Sequence, residues 1–367
     1  MQTIFFPFCR HLKSVAFSSI LGLMLYAHNL LALPFYSITD LGTLGGSTSW
    51  ARDVNNGGII VGASNTGGNL VPHAFRYNAG VLSDLGTASG DYSQAYGVNN
   101  NGQIVGYFGT RGDFVPHAFL YSGGLMTTLG GLGGNGSQAS AVNLAGNIVG
   151  YAYNSGNQQR PFLYRNGTMA DLGTLGGSSG YATGINDSDQ IVGSASVSGN
   201  TSTHAFLYGS NAMLDLGTFG GSWSVANGIN NSGQIVGVAT IAGDSTRAFS
   251  YSAGLMLNLG TLGGNASVAN DINSNGLIVG NSLTASGAQR AFLFSGGTMF
   301  DLNSLVVSSS GWSLYDAVAV SDAGQIVGVG INSLGQAHAV AISPVPEPSC
   351  LGLISLVTIG LIKLRRS

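Results

Sequence analysis

The sequence predicts an all-β protein built from one repeated unit, and three observations carry that prediction. First, a block beginning with D-L-G or its variant recurs at Asp40, Asp84, Thr128, Asp171, Asp215, Asn258 and Asp301, at intervals of 44, 44, 43, 44, 43 and 43 residues. A period of roughly 40–50 residues is that of propeller blades or solenoid coils. Second, each period holds short apolar segments separated by Asn, Asp, Ser and Gly, the residues of tight turns. Third, between Pro34 and Pro344 there is no Lys and no Glu, the usual surface residues of helices. The expected fold is a seven-bladed β-propeller of four-stranded blades, closed by the N-terminal strand pairing with the last blade.

Each strand of the repeat has its own mark. The first is A-x-x-x-N, as at Ala95–Asn99, Ala139–Asn143 and Ala226–Asn230. The second is I-V-G, as at Ile104–Gly106. The third carries two aromatics two residues apart, Phe119/Tyr121, Phe206/Tyr208 and Phe249/Tyr251. The fourth ends in D-L-G, with an apolar residue two before the Asp, as at Leu82 and Met126. An Asn followed three residues later by Gly suits the short turn between the first two strands. The fourth copy has Asp189 in place of that Gly. Asp tolerates the left-handed region better than most residues, so Asp189→Gly is expected to stabilise by about 0.5–1 kcal/mol. Length varies between the second and third strands, as at Thr110–Asp113 and Ser198–Asn200, and in the last link, 306–312. Such insertions belong on exposed loops.

The repeats are cut unevenly. A lone fourth-type strand, Phe35–Leu41, opens the body, and the last copy ends after its third strand, Ala317–Ile342. Pairing these two ends completes every blade and removes the free edges of an open sheet. An open β-solenoid is the alternative, and it would carry polar capping repeats.

The two ends of the chain differ from the body. Residues 1–32 read as a signal peptide, with Arg10, His11 and Lys13 before the apolar run Val15–Ala27 and cleavage after Ala27 or Ala32. An uncleaved anchor helix is the alternative. Residues 34–343 form the repeat body. Residues 344–367 hold Val345-Pro346-Glu347-Pro348-Ser349, then the apolar run Cys350–Ile362, then Lys363, Arg365 and Arg366. That run covers about 20 Å as a helix, short of a hydrocarbon core of about 30 Å. This tail resembles the PEP-CTERM sorting signal of Gram-negative bacteria, with Pro346, Glu347 and Pro348 as the sorting motif. The resemblance implies an exosortase-type processing enzyme of the inner membrane as partner, and a mature chain at the cell surface or outside the cell. It also implies a setting of exopolysaccharide production. The body resembles the HAF-type extracellular repeat, through His73-Ala74-Phe75, His117-Ala118-Phe119 and His204-Ala205-Phe206. Both cysteines, Cys9 and Cys350, lie in the terminal segments, so the mature body has no disulfide.

Composition and motif also bear on function. The body carries seven Arg against fourteen Asp, a balance of 7 − 14 = −7, with no basic footprint for nucleic acid. The position opening the third strand is His73, His117, Arg160, His204, Arg247, Arg290 and His338. It reads as a repeated cap or cross-strand partner, since no thiolate or carboxylate cluster accompanies it as in a metal site. The N-x-x-G turns lack the alternating carboxylates of calcium loops. No metal and no cofactor are therefore expected.

Ligand specificity is expected where the copies differ. The residue after the first-strand Ala is Arg52, Tyr96, Ser140, Thr183, Asn227, Asn270 or Val318, and Trp50, Tyr92, Tyr181, Trp223 and Trp312 fall in or just before the first strand. Arg52, Tyr96, Ser140, Thr183, Asn227, Asn270, Trp223 and Trp312 are the candidate ligand-facing residues. The expected function is a non-enzymatic, monomeric binding or structural module contacting exopolysaccharide or a surface protein, with no catalytic residue. The alternative is a propeller-fold carbohydrate-active enzyme, a hydrolase or lyase, using Asp53 and Asp271, which replace the usual Gly or Ala two residues after the Ala.

Overall fold

The computed structural model describes residues 34–68, 71–112, 115–307 and 311–345. The leader 1–32 and the sorting residues Pro346, Glu347 and Pro348 lie outside these. Residues Tyr36–Val345 form one compact unit. Its first strands are β1 (Tyr36–Asp40), β2 (Gly45–Val54), β3 (Ile60–Thr66), β4 (Pro72–Asn78) and β5 (Val81–Asp84). Strands β2 to β5 pair in chain order as an antiparallel meander. The same meander recurs along the described chain. One eight-stranded sheet consists of two such meanders, Gly176–Gly217 and Gly220–Asn258, joined by a single parallel pair, Thr203 with Trp223. β1 does not pair with β2. It adds antiparallel to Ala337–Pro344, from Tyr36 opposite Pro344 to Asp40 opposite Val340. The fold is all-β and propeller-like. Among the described residues no helix is long and apolar enough to cross a membrane.

The core lies between consecutive sheets. Phe75, Phe119, Phe162, Phe206, Phe249 and Phe292, the first aromatics of the third strands, are fully buried. Each contributes about 1.5–3 kcal/mol by leaving water. One apolar cluster joins Ala51, Ile60 and Phe75 of the first meander to Ala319, Val327 and Ala339 of the last. The third strand is therefore apolar on both faces because a sheet packs on each side of it.

Polar side chains bind the sheets together at two depths. Asn55 Oδ1 accepts from the backbone N–H of Gly57 and Ile59, closing its own turn, while Asn55 Nδ2 donates to the carbonyl of Asn99 in the next meander. Asn99, Asn143, Asn186, Asn230 and Asn273 pass the bond onward to Asn143, Asn186, Asn230, Asn273 and Ser321. Asn56 and Asp322 then join the first turn to the last. Further out, buried Ser49, Ser93, Ser137, Ser224 and Ser267 each accept from the backbone N–H of the H-A-F-type Ala of the preceding sheet, Ser49 from Ala339 of the last.

At four of its seven positions the His or Arg opening the third strand has the cross-strand role expected of it. His73, His204 and Arg160 bond Asp84, Asp215 and Asp171, and His338 bonds Asp40 of β1. The D-L-G carboxylate also closes its own turn, as Asp84 Oδ1 accepts from Gly86 N–H.

The glycine of I-V-G has a steric cause that periodicity alone does not reveal. A Cβ on Gly106 would stand 1.9 Å from the carbonyl oxygen of Gln94, and one on Gly62 2.0 Å from that of Trp50. The facing strand comes this close because it bulges. Ala51 pairs with Gly62 and Asp53 with Val61, which leaves Arg52 as an extra residue. The bulge recurs between Ala95 and Gly97, Ala139 and Ala141, Ala182 and Gly184, Ala226 and Gly228, Ala269 and Asp271, and Ala317 and Ala319.

Asp189 has φ of 58°, as its turn demands. Its carboxylate accepts from Asn143 Nδ2 (2.8 Å) and Asn147 Nδ2 (2.7 Å), and it pairs with Arg165. This reverses the expectation for Asp189→Gly. The relief of backbone strain is outweighed by loss of two inter-sheet hydrogen bonds worth about 0.5–1.5 kcal/mol each. The variant is expected to melt below the wild type in a thermal scan. In chemical denaturation, Gly106→Ala is expected to cost about 3 kcal/mol or more through the collision with Gln94. Gly131→Ala, with nothing within 4 Å of the added carbon, is expected to stay within about 0.5 kcal/mol of wild type.

Candidate functional site

The bulges decide what faces the central space. A bulge residue sits outside the ladder, and its side chain is re-aimed. Arg52, Tyr96, Ser140, Thr183, Asn227, Asn270 and Val318 are the bulge residues, and all of them line one cavity of about 470 Å³. A deeper chamber of about 210 Å³ shares these residues and adds Asp53 and Asp271. Past it, a space of about 190 Å³ is lined by the turn asparagines. The other two sequence candidates lie elsewhere. Trp223 exchanges backbone hydrogen bonds with the Thr240 hydroxyl near the joint between meanders. Trp312 packs beside the His338 ring, centroids 5.9 Å apart. Both occupy the start of the first strand or lie just before it, too far along the chain from the bulge to reach the cavity.

The wide cavity also holds Gln138, Tyr151, Gln159, Tyr181 and Asp316. Of these, Gln138, Tyr151, Gln159 and Asp316 were not singled out from the sequence. A signal for three of the five exists in the repeat alignment at one position and for a fourth at another. Gln138, Tyr181 and Asp316 stand immediately before the repeat Ala, and Tyr151 immediately follows the I-V-G glycine. Both positions differ from copy to copy, as the bulge position does.

The cavity is two-sided. Tyr96 and Tyr151 line one part, with Tyr107 behind them, its ring 5.9 Å from that of Tyr96. The Arg52 guanidinium lies over the Tyr96 ring at 5.1 Å. On the other part, Asp316 Oδ1 accepts from Nδ2 of Asn270 (2.8 Å) and of Asn281 (2.9 Å). Arg52 Nε is buried and has no hydrogen-bond partner among the described residues.

Electrostatics follow from burial. Loss of solvent raises the Asp53 carboxyl to about 7, against hydrogen bonds from the N–H of Val98 and Val54, and the charge of Asp271 raises it further. Burial likewise raises Asp271, although Val320 N–H donates to it. Burial pushes Asp316 up, opposed by the amides of Asn281 and Asn270 and by Arg52. Asp53 and Asp271 each tie their own strand to the next sheet while lining the deep chamber. Among the described residues no group of three or more His, Cys, Asp or Glu side chains stands together as metal ligands.

No family model matches the chain, and no curated protein does. Solved structures do match. The chain is similar to TolB from Acinetobacter baumannii, at 11% identity and a TM-score of 0.43, over 82% of this chain and 64% of that one. It is similar to a gluconolactonase from Xanthomonas campestris, at 11% identity and a TM-score of 0.40, over 86% of this chain and 96% of that one. It is also similar to the PQQ-bound aldose sugar dehydrogenase of Streptomyces coelicolor, at 14% identity and a TM-score of 0.36, over 85% and 99%.

One expectation is corrected here. The expected non-enzymatic surface module contacting exopolysaccharide or surface proteins gives way to the alternative read from the sequence, because its two carboxylates, Asp53 and Asp271, line one chamber together with Arg52. Asp316 lines the connected wide cavity beside the same cation.

The raised Asp53 pKa gives stability a pH dependence of definite sign. The folded chain holds this proton more tightly than the unfolded chain, whose Asp titrates near ~3.9. The contribution is complete below that value and is lost as pH rises through about 7. Melting temperatures measured between pH ~4 and ~8 are expected to fall less steeply in Asp53→Asn than in the wild type.

Proposed function

We propose that the chain is a closed seven-bladed propeller and that its wide cavity is the active site of an acid–base enzyme acting on a sugar-sized, hydroxylated substrate. The ring is supported by β1 pairing with the last hairpin and by the asparagine and serine bonds that link the first meander to the last. The observation carrying the function is a cavity lined by every bulge residue, in which a cation and a carboxylate stand beside tyrosine rings and amides. Tyrosine faces stack on the apolar faces of sugar rings, and amides bond their hydroxyls.

Two carboxyl environments divide the chemistry. Asp316 opens on the wide cavity, with one oxygen held by Asn270 and Asn281. It is the group placed to take a proton from a water or a substrate hydroxyl. Asp53, its pKa raised to about 7 chiefly by burial, keeps its proton in about half of the molecules at neutral pH and can give it to a leaving oxygen. A hydrolytic step so arranged adds water across one bond and leaves the protein unchanged. If export follows the terminal address, the site works outside the inner membrane after processing at Pro346–Pro348.

Purified protein is to be assayed for turnover of chromogenic glycosides and of sugar lactones. Asp316→Asn and Asp53→Asn are each expected to reduce kcat by about 10²–10⁴-fold, with melting temperature recorded alongside to confirm that each variant is folded. The wild-type rate is expected to decline above pH ~7, as the acid form of Asp53 is lost. Undiminished turnover in both variants would remove these residues from the chemistry.

A further inference from the structure

Arg52 is the feature of the cavity that the acid–base reading leaves unused. It is the one Lys or Arg among the residues lining the wide cavity. Its Nε is buried without a hydrogen-bond partner among the described residues, while its guanidinium is fixed in place over the Tyr96 ring. Asp316 lines the same cavity, but the two form no ion pair within 4.0 Å among the described residues, and Asp316 Oδ1 is taken by two amides. The cation therefore faces the cavity unneutralised at contact distance. A buried donor left unmade costs about 1–3 kcal/mol, more for a charged group. Proteins keep such a cost where a ligand removes it.

Chemistry narrows that ligand. A guanidinium offers Nε–H and a neighbouring Nη–H as a parallel fork that a carboxylate accepts with both oxygens. Stacking on Tyr96 uses the face of the guanidinium, whereas hydrogen bonding uses its rim. The adjoining carboxyls of Asp316, Asp53 and Asp271 disfavour a dianion such as a phosphate monoester. One cation with acids around it fits one negative charge.

We propose that Arg52 is the receptor for the carboxylate of an acidic sugar, a uronate unit, seated in the wide cavity with its ring against the tyrosines. This rests on the sugar-site reading above. The bulge suits Arg52 to this role, because the extra residue is free of the ladder and its side chain lines the cavity.

The proposal is tested by equilibrium binding, measured by calorimetry on the full chain at neutral pH, with galacturonate, galactose and galacturonamide. Galacturonate is expected to bind about tenfold or more tightly than either neutral sugar, the effect of one charge-assisted fork. Arg52→Gln is expected to bring the three within about twofold, and Arg52→Lys, which keeps the charge without the fork, to fall between. Melting temperatures check that each variant is folded, and the wild-type ratio stands whatever the variants do. Equal wild-type affinities for galacturonate and galactose would overturn the role of Arg52 and leave the sugar site intact. Binding of none of the three would overturn both.

Discussion

The structure depends on one buried side-chain amide used twice. In the six turns at Asn55, Asn99, Asn143, Asn186, Asn230 and Asn273, the asparagine oxygen satisfies its own turn while its nitrogen satisfies the carbonyl of the next turn, the last being Ser321. Left unpaired, either half of this buried amide would cost about 1–3 kcal/mol. The sheets are thus held edge beside edge at their inner ends, and no sheet can shift without orphaning an amide. The serine bonds to the H-A-F-type Ala repeat the linkage further out. Between these two polar bands lie the buried phenylalanines. Polar bonds set the register of neighbouring sheets, and apolar burial supplies the stability.

Register in turn fixes the bulge, and the bulge separates scaffold from site. The Ala before the extra residue and the I-V-G glycine opposite it are constrained by contact, since a Cβ on that glycine would meet a carbonyl oxygen at about 2 Å. The extra residue is constrained by nothing in the ladder. It can be Arg, Tyr, Ser, Thr, Asn or Val with no change to the sheet, and it is the residue that meets the cavity. A symmetric repeat can in this way enclose an asymmetric surface, with tyrosines along one part and Asn270 and Asp316 along another.

The deep carboxylates show how such a scaffold stores chemistry. Asp53 and Asp271 bridge to the backbone of the following sheet, which fixes their position, while burial raises the pKa of both. A carboxyl used in this way is both a staple and an acid, and the two roles share a cause. The same closeness to the next sheet that provides a backbone donor also excludes water.

Much of the strand order was legible in the sequence because seven copies of one unit expose what every copy must keep. The turn Asn, the aromatic pair and the D-L-G turn each answer to a local demand, and local demands repeat. The bulge residues were legible as variable positions for the same reason. Trp223 and Trp312 were misplaced because an aromatic near a variable position looks like a binding residue until its distance along the strand is known. Asp316, Tyr151 and Gln159 stayed hidden because they stand at variable positions other than the bulge, and only the neighbouring sheets bring those positions to the cavity. By itself the sequence determined the period, the strands and their turns, which depend on residues close in the chain. Only the tertiary structure decided that Arg52 Nε stands without a partner among the described residues, that Asp189 bonds across a sheet boundary, and that three aspartates from distant copies line connected spaces. Those properties come from burial and from contacts between segments remote in the chain, and no single repeat contains them.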